Sequence, residues 1–182
     1  GLGDVYKRQD LTTILNAIYA KTRQTGVLYQ IRNVLYKERE QQMTDVRDVL
    51  CEGGDALCRI DYHYVQGTEM HGIIVGGNIR CFLKLSGTAY MPDLNGKILL
   101  LESRSGTVAR METYLSQLQQ IGAFEQIAGI LLGTFTEMEA KQCMPDIVQL
   151  VKKYVRKTMP IAVTKQIGHG TDAKGIVIGG EL

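Results

Sequence analysis

Two side chains that could carry acid–base chemistry, Glu102 and His169, follow apolar runs in the second half of the chain. Glu102 ends the run GKILLLE, residues 96–102, and His169 stands between two glycines in TKQIGHGTDAKG, directly after the run PIAVT at 160–164. A carboxylate beside an imidazole can fix the tautomer of the ring and stabilise its protonated form, as the acid does in a hydrolase triad. The two residues therefore raise the hypothesis of nucleophilic catalysis.

Each of these residues also has a purely structural interpretation. Glu102 could form an ion pair with Arg104 or Arg110, since such pairs are common on protein surfaces. His169 could be a turn histidine whose ring bonds to the backbone. Asp172, three residues after His169, could also replace Glu102 as the partner of the ring. The residue pattern by itself leaves these alternatives open.

The elements that must position the pair alternate between strand and helix. GKILLLE is followed by a helix stopped by Gly122, by the run AGILLGTF at 128–135, by a second helix with Pro145 in its first turn, and by PIAVT. The first helix carries its apolar face on Met111, Tyr114, Leu115, Leu118 and Ile121, and the second on Ile147, Leu150, Val151, Tyr154 and Val155.

This alternation predicts an α/β fold whose C-terminal domain is a β-α-β-α-β unit with a mainly parallel sheet and right-handed crossovers. GIIVGGN before this unit and KGIVIGG at 174–180 predict additional strands. Chemistry in such folds lies beyond the carboxyl ends of the strands. Glu102 and His169 should therefore meet at one edge of the sheet.

Composition excludes several classes of function. The formal net charge is +2 and the basic residues form no dense block, so we expect no nucleic-acid partner and no membrane partner. The four cysteines show no short paired spacing, which favours free thiols in a reducing cytoplasm. Cys58, His63, His71 and Cys81 could be imagined as zinc ligands, but their spacing fits no usual zinc pattern. We expect no metal and no other cofactor.

The beginning of the chain has two distinct parts. Residues 1–9, GLGDVYKRQ, show no helical period and are typical of a non-native leader. From Asp10, a good N-cap, the segment DLTTILNAIYAKT predicts a helix. Residues 23–60 carry weaker signals: YKEREQQMTDVRD is predicted to be helical or exposed, and Gly53-Gly54 predicts a turn.

Five segments of residues 66–182 occur in an order and spacing that resemble a known family. They are GGN at 76–78, GTAYMPDLNGKILLLE at 87–102, YLSQLQQIG at 114–122, GILLGTF at 129–135 and GHG at 168–170. Together they resemble the C-terminal half of the LD-carboxypeptidases, serine peptidases that include murein tetrapeptide carboxypeptidases and microcin C immunity proteins. The resemblance implies a division into the leader 1–9, a remnant of an N-terminal α/β nucleophile domain at 10–65, and a C-terminal domain at 66–182.

The resemblance also implies a Ser-Glu-His triad with Glu102 as the acid and His169 as the general base. The family nucleophile stands in a Gly-x-Ser-Asp turn that opens a helix resembling DLTTILNAIYAKT. Asp10 matches the residue whose backbone N–H would donate to the oxyanion. Gln9 occupies the serine position and supplies neither hydroxyl nor thiol. Residues 23–60 also lack the family's G-L-x-T-x-x-G-P stretch, so we expect a truncated and inactive serine carboxypeptidase.

The activity that the resemblance implies is hydrolysis of the bond between a dibasic L-centre and a terminal D-alanine of muropeptide tetrapeptides, in cytoplasmic peptidoglycan recycling. One alternative is a hydrolase that gives resistance to peptide-nucleotide antibiotics. Another is a non-catalytic protein that binds a small peptide in the same cleft or only contributes the surface of an oligomer, such as a homodimer. Loss of an N-terminal half would expose apolar surface, so poor solubility or self-association is expected.

Overall fold

The computed structural model describes residues 3–35 and 40–182, with side chains described from residue 11 onward. The strands are β1 (Gly26–Leu28), β2 (His63–Gln66), β3 (Ile74–Asn78), β4 (Ile98–Ser103), β5 (Gly129–Phe135), β6 (Ile161–Val163) and β7 (Ile176–Ile178). The α-helices are α1 (Gly3–Thr22), α2 (Glu40–Arg47), α3 (Ile79–Leu83), α4 (Val108–Gln120), α5 (Ala123–Gln126), α6 (Thr136–Ala140) and α7 (Ile147–Tyr154).

A five-stranded sheet in the order β2-β6-β5-β4-β3 forms the centre of the fold. Strands β3, β4, β5 and β6 are mutually parallel, and β2 pairs with β6 in the antiparallel sense at one edge. The predicted α/β class and mainly parallel sheet are therefore confirmed. Sequence reasoning did not find β2, whose four residues are exposed or half-buried and give no clear apolar pattern.

The strand predicted from KGIVIGG does not extend the parallel sheet. It forms β7, which pairs antiparallel with β1 in a separate two-stranded sheet. A parallel connection needs a crossover of a dozen or more residues, usually a helix, whereas the chain passes from β6 to β7 through the His169 loop without one.

The core lies on both faces of the central sheet. Residues 98–101 of β4 are all fully buried, which explains why their sequence is a continuous apolar run rather than an alternating one. Leu99 and Leu101 face the cluster that contains the apolar sides of α4 and α7. Leu100 faces a second cluster, which includes Ile167 and the β7 residues Ile176 and Ile178.

Helices α4 and α7 match their predicted faces with two corrections. In α4 the side chains of Met111, Leu115 and Leu118 are buried. Pro145 lies before α7 rather than in its first turn, because Asp146 is the N-cap. The Asp146 carboxylate accepts from the backbone N–H of Gln149 at 2.8 Å, and the Gln149 side chain accepts from the Asp146 N–H at 3.1 Å. Val155, predicted on the apolar stripe, lies at the C-cap.

The first helix begins earlier than predicted. It runs without interruption from Gly3, so Asp10 is an interior helical residue and its prediction as an N-cap is wrong. A backbone N–H beyond the fourth helical residue has a carbonyl partner within the helix. The prediction of a helix over residues 10–22 is confirmed.

Helix α1 is fixed to the outer edge of the sheet by Asn16, which is fully buried. The Asn16 side-chain amide donates to the carbonyls of Thr12 and Gly76, and its oxygen accepts from the N–H of Gly76, each at 2.8 Å. Asn16 thus satisfies both backbone groups that Gly76 presents on the unpaired side of β3, in the way that a neighbouring strand would.

The segment between α1 and the sheet is partly helical. Helix α2 covers residues 40–47 of the stretch predicted to be helical or exposed, while residues 36–39 of that stretch lie outside the described ranges. The predicted turn at Gly53 is confirmed, with φ of 72° at the end of a short π-helical turn. Within the described ranges, no helix has the length and apolar character that a bilayer span requires.

Candidate active site

Glu102 and His169 lie together at the carboxyl edge of the sheet. His169 Nε2 is 3.2 Å from Glu102 Oε2, and the two side chains are 11% and 8% exposed. Glu102 is held by its strand, where it is in register with Asn78 of β3. The convergence predicted from the topology is therefore confirmed as geometry.

The structural alternatives for these residues are not supported. Arg104 and Arg110 are exposed, whereas Glu102 is buried and its carboxylate contacts the His169 ring. Asp172 is also exposed, so it does not replace Glu102 beside the imidazole.

The backbone around His169 packs directly against β5. The N–H of Thr134 donates to the carbonyl of Ile167 at 2.8 Å. A Cβ atom on Gly133 would lie 2.6 Å from that carbonyl oxygen and 3.1 Å from the Cβ of Glu102, so a glycine permits this approach. Gly168 has a φ of +146°, which strongly favours glycine, whereas Gly170 does not have a positive φ.

Several polar atoms at this site have no hydrogen-bond partner among the described residues. They are Glu102 Oε2, both ring nitrogens of His169, Gln30 Oε1 and Thr134 Oγ1, and all of them are buried. The 3.2 Å contact between Glu102 and His169 thus brings the groups together without hydrogen-bond geometry. Buried polar groups are normally paired, so these unpaired atoms mark this edge of the sheet as the candidate site.

A small cleft opens beside the pair. The residues that line it include Thr12, Gln30, Asn78, Glu102, His169 and Lys174. Thr12 belongs to α1, and its hydroxyl oxygen accepts from the Asn78 N–H at 3.2 Å. The residues just after Asp10 therefore reach the same cleft as Glu102 and His169.

Thr12, Gln30 and Lys174 were not found by sequence reasoning, because polar residues in a helix or an irregular segment carry no motif that marks them. Asn78 was noted only as part of the GGN segment. In the part of the chain that the structure describes, no three His, Cys, Asp or Glu side chains are grouped so that they could hold a metal ion. His63 and His71, two members of the imagined zinc set, are exposed.

Comparison with known proteins shows to which family the chain belongs. The family model described as the LD-carboxypeptidase C-terminal domain matches residues 71–182. A protein of Treponema pallidum (strain Nichols), provisionally named a carboxypeptidase, is 29% identical over 201 aligned positions, which cover 95% of this chain and 58% of that protein. The microcin C7 self-immunity protein MccF of Escherichia coli is 32% identical over 66 residues, 36% of this chain and 19% of its own.

Solved structures show the same fold. MccF in complex with glutamyl sulfamoyl guanosine superposes with a TM-score of 0.77 at 16% identity, over 94% of this chain and 61% of MccF. The muramoyltetrapeptide carboxypeptidase from Oxalobacter formigenes gives a TM-score of 0.71 at 17% identity, with the same coverage of 94% and 61%. The chain thus spans about three fifths of the length of these relatives. Since the family model covers more than half of the sequence, the chain belongs to the LD-carboxypeptidase family.

Proposed function

We propose that Glu102 and His169 are the acid and the base of a Ser-Glu-His triad that hydrolyses an amide bond to a terminal D-alanine. The substrate would be a muropeptide tetrapeptide in which a dibasic L-residue precedes the D-alanine, and the reaction would serve cytoplasmic peptidoglycan recycling. The observation that carries the proposal is the buried Glu102–His169 contact of 3.2 Å beside a cleft.

In this proposal His169 takes the proton of the serine hydroxyl as the oxygen attacks the carbonyl carbon. The imidazolium then gives that proton to the nitrogen of the leaving D-alanine, and a water molecule releases the acyl group by the same path. Glu102 holds the ring and stabilises the imidazolium. Both side chains are nearly excluded from solvent, so their mutual attraction is weakly screened.

By the resemblance to the family, the nucleophile would directly precede Asp10, and the lining of the cleft by Leu11 and Thr12 supports this position. Gln9 occupies that position here and cannot form an acyl-enzyme, so we expect no turnover by the chain as written. The oxyanion role proposed for the Asp10 N–H requires a protein in which the helix begins at Asp10. There the N–H would be one of the unpaired groups at the positive end of the helix. Here the helix continues through that residue.

Binding can be tested on the chain itself by titrating it with the tetrapeptide and following backbone NMR signals. Shifts should concentrate on Thr12, Gln30, Gly168 and His169, which line the cleft. Tetrapeptide that leaves these signals unchanged at millimolar concentration would contradict the proposed substrate. A serine-directed phosphonate should not label the chain, and labelling would show that the site has a nucleophile after all.

Catalysis can be tested in a hybrid that joins the upstream segment of a family member, ending in its serine, to Asp10 of this chain. The hybrid should release D-alanine from the tetrapeptide but not L-alanine from the matched L-peptide. His169→Ala should lower kcat by at least about 10³-fold. His71→Ala, at an exposed histidine outside the cleft, is the matched control and should retain activity. Normal turnover by the His169→Ala hybrid would refute the role of this residue.

A hydrolase of peptide nucleotides is the second candidate, supported by the 32% identity to MccF of Escherichia coli over 66 residues. The two substrates can be offered together to the hybrid, and the ratio of their kcat/KM values decides between them. A non-catalytic peptide-binding role is favoured if the hybrid binds the tetrapeptide in the cleft but hydrolyses neither substrate.

The division at residues 1–9, 10–65 and 66–182 and the homodimer also belong to this proposal. Size-exclusion chromatography with light scattering tests the oligomer. A stable monomer would contradict both the homodimer and the expected self-association.

A further inference from the structure

His169 lies on a loop formed by residues 167–173. Backbone hydrogen bonds close this loop at its base and near its C-terminal end. The Lys174 N–H donates to the Gln166 carbonyl at 2.8 Å, and the Ala173 N–H donates to the Gly170 carbonyl at 3.3 Å. These bonds close the loop, but they do not fix the direction in which the His169 side chain leaves it.

Three side-chain amides from a distant part of the chain donate to carbonyls on both sides of His169. Gln30 donates to the carbonyl of Gly168. Asn33 donates to the carbonyl of Gly170 at 3.1 Å, and Gln42 donates to that of Thr171 at 2.7 Å. The donors lie 129 to 138 residues before their acceptors in the sequence.

Two of the three donors are buried, whereas Gln30 is half-buried. Asn33 is fully buried and Gln42 is 8% exposed. The hydroxyl of Tyr29 donates to the Gln42 side-chain oxygen at 2.5 Å, which orients the Gln42 amide toward the loop. A buried amide with a defined orientation restrains the carbonyl that it binds.

We propose that Gln30, Asn33 and Gln42 form an amide clamp that positions His169 against Glu102. The carbonyls that they bind belong to the residue before the histidine and to the two residues after it, so they restrain its backbone direction and hence where its ring lies. Neutral amides suit this task because they add no net charge beside the imidazole. A lysine or arginine donor would disfavour the imidazolium that the proposed mechanism needs.

The clamp residues are positioning residues, and their importance for catalysis depends on the proposed function. Their effect on the histidine does not, because it can be measured in the chain without a substrate. Nitrogen-15 NMR of the imidazoles reports the tautomer and the protonation state of His169. The other two histidines, His63 and His71, are exposed and serve as internal references.

The decisive variants are Gln42→Ala and Asn33→Leu, because the second nearly keeps the size of the side chain, removes the donor and adds no charge. Each should shift the His169 ring signals toward those of the exposed histidines. Each should also speed hydrogen exchange at Ala173 and Lys174 about tenfold, the change expected for the loss of one buried hydrogen bond.

Gln41→Ala is the matched control, since the adjacent Gln41 side chain is exposed and donates to Asp45 instead of the loop. Val151→Ala controls for general destabilisation, because Val151 is fully buried in α7 and distant in sequence from the clamp. Neither control should move the His169 ring signals.

The clamp is refuted if Gln42→Ala and Asn33→Leu both fold and leave the His169 signals unchanged, or if Val151→Ala shifts them equally. Should one clamp variant fail to fold, the other decides. Shifted ring signals together with a hybrid whose activity does not need His169 would support the clamp and refute the proposed function. Unchanged ring signals together with a hybrid whose activity needs His169 would refute the clamp and support the proposed function.

Discussion

Alanine at Gly168 should displace His169 and destabilise the fold, whereas alanine at Gly170, on the other side of the histidine, should be tolerated. The sequence GHG does not distinguish the two glycines, but their backbone conformations and surroundings differ in the structure. Gly168 has a φ of +146°, and a Cβ placed there would overlap the hydroxyl of Thr134 and lie 3.0 Å from its Cβ. At Gly170 a Cβ would meet the Asp172 carboxylate at 2.5 Å, and this exposed side chain can rotate away.

The expected magnitudes follow from these contacts. Holding a non-glycine residue at such a φ costs about 1–3 kcal/mol. Crowding the buried Thr134 hydroxyl adds about 1–3 kcal/mol, as for other overpacked sites. Since the two costs add, Gly168→Ala should lower the free energy of unfolding by roughly 2–6 kcal/mol. Gly170→Ala should change it by less than about 1 kcal/mol.

Urea unfolding of both variants, with linear extrapolation to water, measures this difference directly. The His169 imidazole signals should shift in Gly168→Ala and stay in place in Gly170→Ala. Equal stabilities of the two variants would show that the backbone at residue 168 relaxes freely. The argument that glycine is required there would then fail.

Two other perturbations test contacts that hold helices in the fold. Asn16→Ala should lower the free energy of unfolding by about 2–4 kcal/mol, since it leaves both backbone groups of Gly76 unpaired; urea unfolding checks this. The hydrogen bond to Glu112 is the main reason why the pKa of Tyr154 is raised to about 12. Glu112→Gln should bring this pKa back toward 10, which can be measured from phenolate absorbance with Tyr154→Phe as the reference. Hydrogen bonds from Lys153 and Tyr154 lower the pKa of Glu112 below its usual value of 4.5. These contacts therefore stabilise the fold above pH 4.5, and their contribution is lost as the pH falls through the lowered pKa. Glu112→Gln should flatten that part of the acid-unfolding profile.

The parts of the fold that could be predicted are those with strong local patterns. Strand β4 is a continuous apolar run, and α4 carries its buried residues at helical spacing. Once strands and helices alternate, the handedness of the crossover leaves few topologies. The meeting of Glu102 and His169 at one edge then follows from general rules for parallel sheets.

The parts that could not be predicted depend on long-range contacts or on short, weak segments. Strands β1 and β2 have three and four residues, too few for a reliable pattern. Asn16 and the amide clamp bind backbone groups 60 to 138 residues away, and an amide side chain does not reveal its partner in the sequence. The start of α1 was misjudged because Asp10 is a good N-cap by type although it lies inside a helix.

The two halves of the candidate pair are held by different means, and this difference predicts how each will respond to mutation. Glu102 lies on β4, where it pairs with Asn78 of β3, although the register toward β5 shifts between Leu101 and Ser103, so a strand of the sheet orients the carboxylate. His169 lies on a loop whose orientation depends on Gly168 and on donors from outside the loop. Changes around Glu102 should therefore appear mainly as lost stability. Changes in the clamp should displace the imidazole at a smaller cost in stability, because the sheet and its two apolar clusters remain intact.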